Sequence, residues 1–255
     1  MPELLRPDPA GGVFETLLVL DGRPIELEAH LERLSRSVGQ LFGAVLPVDT
    51  RELMLESVSA LSVGRVRLTA ILGLDGVVNT AVVTAAVDPE DIFPAWERGV
   101  VLKPSLLRGG LGAHKWADRA GLSRLEAGGP ERSVPLLLDV GEEVLEASRA
   151  SVFAVEAETL ITPSTDGRIL PGVTRALAID TAASLGIEVR EEALALERLL
   201  AAGQAFLTGS VRGVEPVRSL DEAEFEVPGA TVCALAAEMK QRWVADDAAR
   251  STRAS

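Results

Sequence analysis

The chain changes pattern at residues 109–119, where it reads Gly109-Gly110-Leu111-Gly112-Ala113-His114-Lys115-Trp116-Ala117-Asp118-Arg119. The glycines within residues 109–112 favour a linker, because glycine adopts backbone conformations that other residues avoid. A chain of 255 residues can form two modest domains. We therefore predict an N-terminal domain over residues 1–108, a linker over 109–112 and a C-terminal domain over 113–245. Residues 246–255, rich in Ala, Asp, Arg and Ser, are expected to be a frayed tail.

The N-terminal half predicts a small unit of mostly antiparallel strands with helices. Val13 to Leu20 is a strand candidate that ends at an Asp21-Gly22 turn. Glu28 to Phe42 carries apolar residues at three- and four-residue spacing, which predicts a helix. Two longer β-rich runs follow between residues 65 and 87, and Val100 to Leu107 is a further strand candidate in this half.

The C-terminal half predicts short strands interleaved with helices. The first strand candidates are Pro135–Asp139, Glu143–Glu146, Val152–Val155 and Thr159–Ile161. A helix is predicted from Gly172 to Leu185, and another near Ala230 to Val244. The fold class is therefore expected to be α/β (α+β), with the larger domain at the C-terminal end.

Composition excludes several classes of function. The net charge of −13 argues against binding to nucleic acid or to anionic membranes, since both depend on Lys and Arg. The single Cys233 excludes an intrachain disulfide, and two histidines give no support for a zinc site, so no metal is expected. No signal peptide or 18-residue apolar run is visible, which predicts a cytoplasmic protein.

Only three lysines are present, so chemistry that needs a primary amine has few possible locations. An Arg guanidinium stays protonated, whereas a desolvated Lys can lose its proton and attack a carbonyl. Lys103 lies in a predicted strand, and Lys240 lies in the C-terminal helix. Lys115 follows the glycine-rich stretch and approaches a predicted helix start, which is a setting suited to a reactive amine. A plain surface lysine is the alternative.

Three further features of the second half fit the same kind of site as the amine. Glu146 ends a strand and is followed by small residues that include Ser148, an arrangement suited to holding a polar ring. Leu170-Pro171-Gly172-Val173-Thr174-Arg175 opens a helix whose free N–H groups and Thr174 hydroxyl can bind phosphate. Thr208-Gly209-Ser210 leaves a strand into a turn that can form a second anion site. An amine, a carboxylate and two phosphate sites are what pyridoxal phosphate requires.

With these motifs, the chain resembles the fold-type IV pyridoxal-phosphate enzymes, also called class IV aminotransferases. Gly12-Val13-Phe14-Glu15-Thr16-Leu17 and His30-Leu31-Glu32-Arg33-Leu34 match the N-terminal patterns of that family. The C-terminal patterns are matched by the segments around Glu146, by Leu170 to Arg175, and by Phe206 to Ser210 with Pro216-Val217. The resemblance implies a small N-terminal α/β domain, a larger C-terminal pseudo-barrel domain and a homodimer that acts on a small amino substrate.

The resemblance also implies a role for each matching residue. Lys115 corresponds to the Schiff-base lysine, and Glu146 to the residue that pairs with the pyridine nitrogen. Arg33 corresponds to the arginine that reaches the cofactor phosphate, although the helical pattern alone would place it in solvent. The remaining cofactor-binding residues implied are Ser148, Gly172, Val173, Thr174, Gly209 and Ser210. His30 is expected to be structural.

Departures from the family's patterns bear on the reaction. There is no tyrosine, and no Arg-x-His pair follows the strand that begins at Arg65. Lys115-Trp116-Ala117-Asp118-Arg119 is similar to the Lys-x-x-Asn-Arg pattern of aminodeoxychorismate lyases, with Asp118 in place of Asn. These points favour a lyase that forms 4-aminobenzoate and pyruvate. An aminotransferase for branched-chain or D-amino acids or amines is the first alternative, and a non-catalytic binding protein of the same fold is the second.

Overall fold

The protein is described by a computed structural model that covers residues 6–129 and 133–245. The expected frayed tail, residues 246–255, lies outside these ranges. Within them, the chain forms two sheets, each accompanied by helices, and no described helix has the length and apolar character needed to cross a membrane. The predicted α/β (α+β) fold is confirmed.

The small sheet has the strand order β2-β1-β3-β4, and all of its pairs are antiparallel. Its strands and the two helices that accompany it are β1 (Val13–Leu20), β2 (Arg23–Pro24), α1 (Leu27–Phe42), α2 (Thr50–Val58), β3 (Val63–Leu72) and β4 (Val78–Ala86). The predicted turn at Asp21-Gly22 joins β1 to β2, with positive φ angles at both residues. The return strand is short, because α1 already begins at Leu27.

The two faces of the small sheet have different roles. Leu17 on β1 and Leu68 on β3 are fully buried and pack in one cluster with Leu34 and Val38 of α1. Each fully buried side chain of this size contributes about 1.5–3 kcal/mol to the free energy of unfolding. Because side chains alternate along a strand, residues such as Arg67 face the opposite side, where they line a cavity.

The large sheet follows the order β10-β9-β8-β12-β13-β5-β6-β7-β11, and β14 adds to β13. Its elements are β5 (Val100–Leu106), α3 (Ala120–Ala127), β6 (Ser133–Leu138), β7 (Glu143–Ala147), β8 (Ser151–Glu156), β9 (Thr159–Thr162), α4 (Val173–Ser184), β10 (Val189–Glu191), β11 (Leu194–Ala195), α5 (Leu196–Ala201), β12 (Gln204–Gly209), β13 (Gly213–Leu220), β14 (Ala223–Glu224) and α6 (Ala230–Ala245). One core cluster lies within this sheet, and α4 and α6 enclose a second one.

Two strands differ from the sequence prediction. The strand β5 was assigned to the N-terminal half, but it pairs in parallel with β6 and β13 of the large sheet. Residues 100–106, which lie within the predicted N-terminal domain 1–108, therefore belong to the large sheet. The sequence analysis predicts no strand for residues 213–220, where Pro216-Val217 appears only as part of a family pattern, and a proline is uncommon in a central strand. Pro216 nevertheless occupies a paired position opposite Phe206.

The predicted linker, residues 109–112, is held in place by hydrogen bonds. The Gly112 N–H donates to the carbonyl of Arg168 at 3.1 Å, and the Gly109 N–H donates to the Asp139 carboxylate at 3.0 Å. Gly110 has a φ of 64°, and a Cβ at this position would overlap the Arg168 carbonyl oxygen. Only glycine therefore fits here, and the stretch leads in a fixed path to Lys115.

Candidate active site

The two sheets meet at a cavity of about 540 Å³. Its lining contains every residue that the sequence predicted for the site: Arg33, Lys115, Glu146, Ser148, Gly172, Val173, Thr174, Gly209 and Ser210. Distant segments of the chain are thus brought to one place, although their individual roles stay predictions.

Lys115 is held against the first strand of the small sheet. The Phe14 N–H donates to the Lys115 carbonyl at 2.9 Å, and the Ala117 N–H donates to the Gly12 carbonyl at 2.9 Å. This antiparallel contact fixes the backbone on both sides of the lysine, and α3 begins soon afterwards at Ala120. The Lys115 ammonium lies 5.1 Å from the centre of the Phe14 ring.

The amine of Lys115 is poised to lose its proton. Burial is the main cause that lowers the pKa of Lys115, from 10.5 to about 8, and the nearby positive charge of Arg33 lowers it further. Glu15 and Glu146 oppose this shift. A much larger fraction of the amine is therefore neutral near pH 7 than in an ordinary lysine, which is the form that attacks a carbonyl.

Glu146 lies near the end of β7, in the wall of the cavity, and is almost fully buried. Burial raises the pKa of Glu146 from 4.5 to about 7, while the Leu170 N–H, at 3.3 Å from Oε2, and the positive charge of Lys115 hold it down. A carboxylate in this setting can bind a protonated ring nitrogen, because that partner supplies the positive charge that a buried anion lacks.

Arg33 is buried and oriented by a carboxylate that the sequence analysis did not single out. Its Nε and Nη2 donate to the two oxygens of Glu15 at 2.8 and 2.6 Å, and its Nη1 donates to the Pro171 carbonyl at 3.0 Å. His30 Nδ1 lies 2.7 Å from Glu15 Oε2. Since an ionised carboxylate only accepts, this nitrogen carries the proton, and His30 has the structural role expected for it.

The ionised state of Glu15 is strongly favoured. Burial alone would raise its pKa, but the positive charge of Arg33 and the hydrogen bonds from His30 and Arg33 lower the pKa to about 2. The pair therefore stays ionised throughout the neutral range, and Arg33 keeps its orientation. The sequence of β1 could have indicated this role for Glu15. A carboxylate among apolar neighbours in a strand requires a buried partner.

The N-terminus of α4 and the end of β12 together form an anion site. Gly172 precedes the first turn of α4, and no side chain caps the free N–H groups there. The hydroxyls of Thr174 and Ser210 lie 3.3 Å apart. The buried Thr208 hydroxyl, which also lines the cavity, has no hydrogen-bond partner among the described residues. Unpaired donors at a helix N-terminus suit a phosphate group.

These residues fit pyridoxal phosphate. The site has an amine with a lowered pKa, a buried carboxylate of raised pKa and a set of phosphate donors, all on one cavity. The uncapped helix end and the unpartnered Thr208 hydroxyl are the specific observations that favour a bound anion. Lys115 would attach the cofactor, Glu146 would face its ring nitrogen, and Arg33, Thr174 and Ser210 would hold its phosphate.

Two residues near the cavity have structural contacts that the sequence did not reveal. Ser148 donates its hydroxyl to Glu126 at 2.6 Å, so its proton is directed to α3. Asp118 accepts from the N–H groups of Asp8 and Ala120 at 2.8 and 2.9 Å and thereby fixes the start of α3. Asp118 also lines the cavity, and both of its oxygens already accept backbone hydrogen bonds.

Comparison with known proteins identifies relatives of the whole chain. The model of the family described as amino-transferase class IV matches residues 12–220. An aminodeoxychorismate lyase of Bacillus subtilis (strain 168) is 30% identical over 234 residues, which cover 84% of this chain and 79% of that protein. A structure described as a putative 4-amino-4-deoxychorismate lyase of Legionella pneumophila superposes with a TM-score of 0.79 at 25% identity and covers 91% of each chain.

Branched-chain aminotransferases match over short segments in sequence but over most of the chain in structure. A structure described as a putative branched-chain amino acid aminotransferase of Thermotoga maritima superposes with a TM-score of 0.77 at 27% identity and covers 92% of this chain and 86% of that one. The mitochondrial branched-chain-amino-acid aminotransferase 1 of Arabidopsis thaliana is 40% identical over 82 residues, or 32% of this chain. That match spans 21% of the plant enzyme, and a similar match spans 37% of a probable branched-chain-amino-acid aminotransferase of Thermotoga maritima. The higher identity is therefore confined to part of the chain.

We predict that pyridoxal phosphate attaches to Lys115 with a pH dependence centred near 8, because the neutral amine is the reactive form. The rate of attachment to the apoprotein should be followed by absorbance across pH 6 to 10. Borohydride reduction and peptide mapping then identify the modified lysine. A pyridoxyl group on Lys103 or Lys240, or a midpoint near 10.5, would contradict the assignment.

We predict that Glu15→Gln weakens the binding of both pyridoxal phosphate and inorganic phosphate by about tenfold, since a hydrogen bond to a charged group is worth about 1.5–3 kcal/mol. Gln cannot accept from both guanidinium nitrogens of Arg33.

Arg33→Ala should weaken the binding of pyridoxal phosphate and of inorganic phosphate by about ten- to a hundredfold. The matched control is Glu32→Gln, which removes an exposed carboxylate of α1 next to Arg33 in the chain. Wild-type phosphate affinity in Arg33→Ala would remove Arg33 from the site.

Proposed function

Because the chain belongs to the amino-transferase class IV family and is a pyridoxal-phosphate enzyme of fold type IV, we propose that it is an aminodeoxychorismate lyase. The proposed reaction converts 4-amino-4-deoxychorismate to 4-aminobenzoate and pyruvate, a step of folate synthesis. All product atoms come from the one substrate, so no second amino or keto acid is required. Similarity to the Bacillus lyase over most of both chains supports this choice.

The observation that carries the proposal is a positive surface on the cavity face of the small sheet. Arg65 and Arg67 lie two positions apart on β3 and therefore share a face, which lines the cavity. Among the described residues, neither arginine pairs with a carboxylate. The Arg67 guanidinium lies 3.8 Å from the centre of the Phe14 ring and donates to the Ala117 carbonyl at 3.3 Å. Burial lowers the pKa of Arg67, and Arg119 and Arg65 add to the effect.

This uncompensated positive charge suits a substrate with two carboxylates. Arg67 and Lys115 contact the same ring, so their charged groups lie within about 9 Å of one another, the sum of the two ring distances. Aminodeoxychorismate carries a ring carboxylate and a second carboxylate on the side chain that leaves as pyruvate. A branched-chain amino acid carries one carboxylate and an apolar side chain, which would leave one arginine unpaired, whereas the keto acid 2-oxoglutarate carries two carboxylates and could pair with both.

In the proposed reaction, each cavity residue would have a separate role. Bound pyridoxal phosphate supplies an electron sink for the bond that breaks next to the substrate amine. Glu146 would keep a proton on the ring nitrogen, and Arg33, Thr174 and Ser210 would hold the phosphate. The Lys115 amine, displaced by the substrate amine, would remove the proton from the amine-bearing carbon as a general base. Its pKa of about 8 is suited to that role near neutral pH.

An aminotransferase is the second candidate, and the 40% identity to branched-chain enzymes over part of the chain favours it. It would use the same cofactor residues.

We also propose that the protein is a homodimer, as the family resemblance implies. Light scattering of the holoenzyme tests this proposal.

The two reactions are separated by what single amino acids do to the enzyme. We predict that aminodeoxychorismate is turned over many times with release of 4-aminobenzoate, while amino acids alone leave the absorbance of the bound cofactor nearly unchanged. A lyase restores its cofactor in every cycle without a second substrate. Fast bleaching by D-alanine, L-leucine or an aryl-alkyl amine, reversed by 2-oxoglutarate or pyruvate, would instead identify an aminotransferase.

We predict that Arg67→Met raises the KM for aminodeoxychorismate by about ten- to a hundredfold, because an anion loses a charge-assisted hydrogen bond worth about 1.5–3 kcal/mol. Methionine keeps the apolar contact with Phe14 but not the charge. Cofactor affinity should be unchanged. Arg36→Met is the control, because Arg36 lies on the exposed face of α1. An unchanged KM in Arg67→Met would contradict the carboxylate site.

A further inference from the structure

The segment 163–172 joins β9 to α4. Its last residues contact the cofactor site both at the ring end and at the phosphate end. The Leu170 N–H donates to Glu146 at 3.3 Å, at the end assigned to the ring nitrogen. The Pro171 carbonyl accepts from Arg33 at 3.0 Å, at the phosphate end. Gly172 then begins the uncapped turn of α4. A shift of this segment would therefore disturb both the ring carboxylate and the phosphate site.

Arg168 fixes this segment by several ion pairs on the outside of the large domain. Its Nη1 and Nη2 donate to the two oxygens of Glu143, both at 2.7 Å. Nη1 also donates to Asp139 at 2.9 Å, and Nε donates to Asp166 at 2.8 Å. Isolated exposed ion pairs add little stability, but networks with bidentate contacts are the exception. The arginine is about a third exposed, so water screens the network only in part.

The network acts on the strand that carries Glu146. Both Glu143 and Glu146 belong to β7, where the segment is attached at two points: Arg168 to Glu143 and Leu170 to Glu146. Between these points, Ile169 is buried in a cluster with Leu145, the residue before Glu146. The Leu170 N–H is thus aimed at the carboxylate by contacts on either side of it.

The backbone of Arg168 also contacts the segment that leads to Lys115. Its carbonyl accepts the Gly112 N–H at 3.1 Å, and Gly110 approaches so closely that only glycine fits. Without the arginine side chain, Asp139, Glu143 and Asp166 would be three neighbouring carboxylates with no shared cation, and their repulsion would separate the segment from β7.

We propose that Arg168 is a positioning residue of the cofactor site: its ion pairs with Glu143 and Asp139 hold the Leu170 N–H against the Glu146 carboxylate. Arg168 itself does not line the cavity. The proposal rests on the proposed role of Glu146 toward the ring nitrogen, and it is the same for a lyase and for an aminotransferase.

The expected consequence is a change in the proton affinity of the cofactor ring. The charged groups that act on Glu146 are Lys115, Arg33 and Arg119, and the Leu170 N–H is the hydrogen bond that favours its ionised form. Loss of that hydrogen bond raises the pKa of Glu146 further and removes the contact that orients its carboxylate. Both effects reduce the negative charge close to the ring nitrogen. The protonated nitrogen is then less stabilised, so it should lose its proton at a lower pH.

The test is a pH titration of the holoenzyme that carries pyridoxal phosphate labelled with ¹⁵N in the ring, followed by the ¹⁵N chemical shift. In Arg168→Gln, the pH of half-deprotonation should fall by about one unit, as expected for partial loss of a hydrogen bond to a charged group. Glu143→Gln, which keeps two of the three acidic partners, should produce a smaller shift in the same direction. Arg168→Lys keeps the charge but not the bidentate contact, so its titration midpoint should lie between those of the wild type and Arg168→Gln.

A matched control separates positioning from general stability. Arg198 makes a bidentate contact with Glu156 and a further pair with Glu192, and it is about a third exposed like Arg168. Arg198→Gln should lower thermal stability by a comparable amount and leave the ¹⁵N titration unchanged. An equal shift in both arginine variants, or a wild-type titration in both Arg168→Gln and Glu143→Gln, would overturn the proposal.

Glu146→Gln distinguishes failure of this proposal from failure of the one on which it rests. If Glu146→Gln lowers the titration midpoint strongly and the Arg168 variants do not, Glu146 keeps its role and Arg168 has none. If Glu146→Gln itself titrates like the wild type, the role of Glu146 is wrong, and the proposal for Arg168 is overturned with it.

Discussion

The buried pair between Glu15 and Arg33 is the interaction on which the site depends. Removing either partner would leave an uncompensated charge inside the protein, at a cost of about 3–5 kcal/mol. Two guanidinium nitrogens of Arg33 are committed to Glu15 and one to Pro171, so the pair joins β1, α1 and the segment before α4. The same β1 strand fixes the backbone at Lys115 through Phe14. The strand β1 therefore positions both the Lys115 amine, through Phe14, and the phosphate-binding Arg33, through Glu15.

Burial acts in opposite directions on the two groups that would flank the cofactor. It lowers the pKa of Lys115 to about 8 and raises that of Glu146 to about 7, because in each case water no longer stabilises the charged form. Two groups of opposite type thus titrate close to neutral pH in one cavity. Perturbed pairs of this kind concentrate at functional sites, since proton transfer requires groups whose two forms are similar in free energy.

Local sequence patterns predicted those parts of the fold and site that depend on local geometry. The α1 helix, the glycine-rich path to Lys115 and the opening of α4 follow from spacing and turn residues. Long-range pairing was not predictable in the same way. The strand β5 joins the large sheet by pairing with β6 and with the distant β13, and β13 contains Pro216. The burial of Arg33 on a helix also depends on its tertiary partner Glu15.

The choice of reaction rests on charge rather than on the motif around Lys115. Asp118 accepts from the N–H groups of Asp8 and of Ala120, the first residue of α3, so local structure is enough to account for its presence. The cofactor residues are equally compatible with either reaction. What distinguishes the candidates is the face of β3 that opposes the cofactor, where Arg65 and Arg67 lack carboxylate partners among the described residues. Arg67 is half-buried and Arg65 is exposed, so an anionic group of the substrate would supply the partner that the half-buried guanidinium lacks. This favours a substrate with two carboxylates over a branched-chain amino acid.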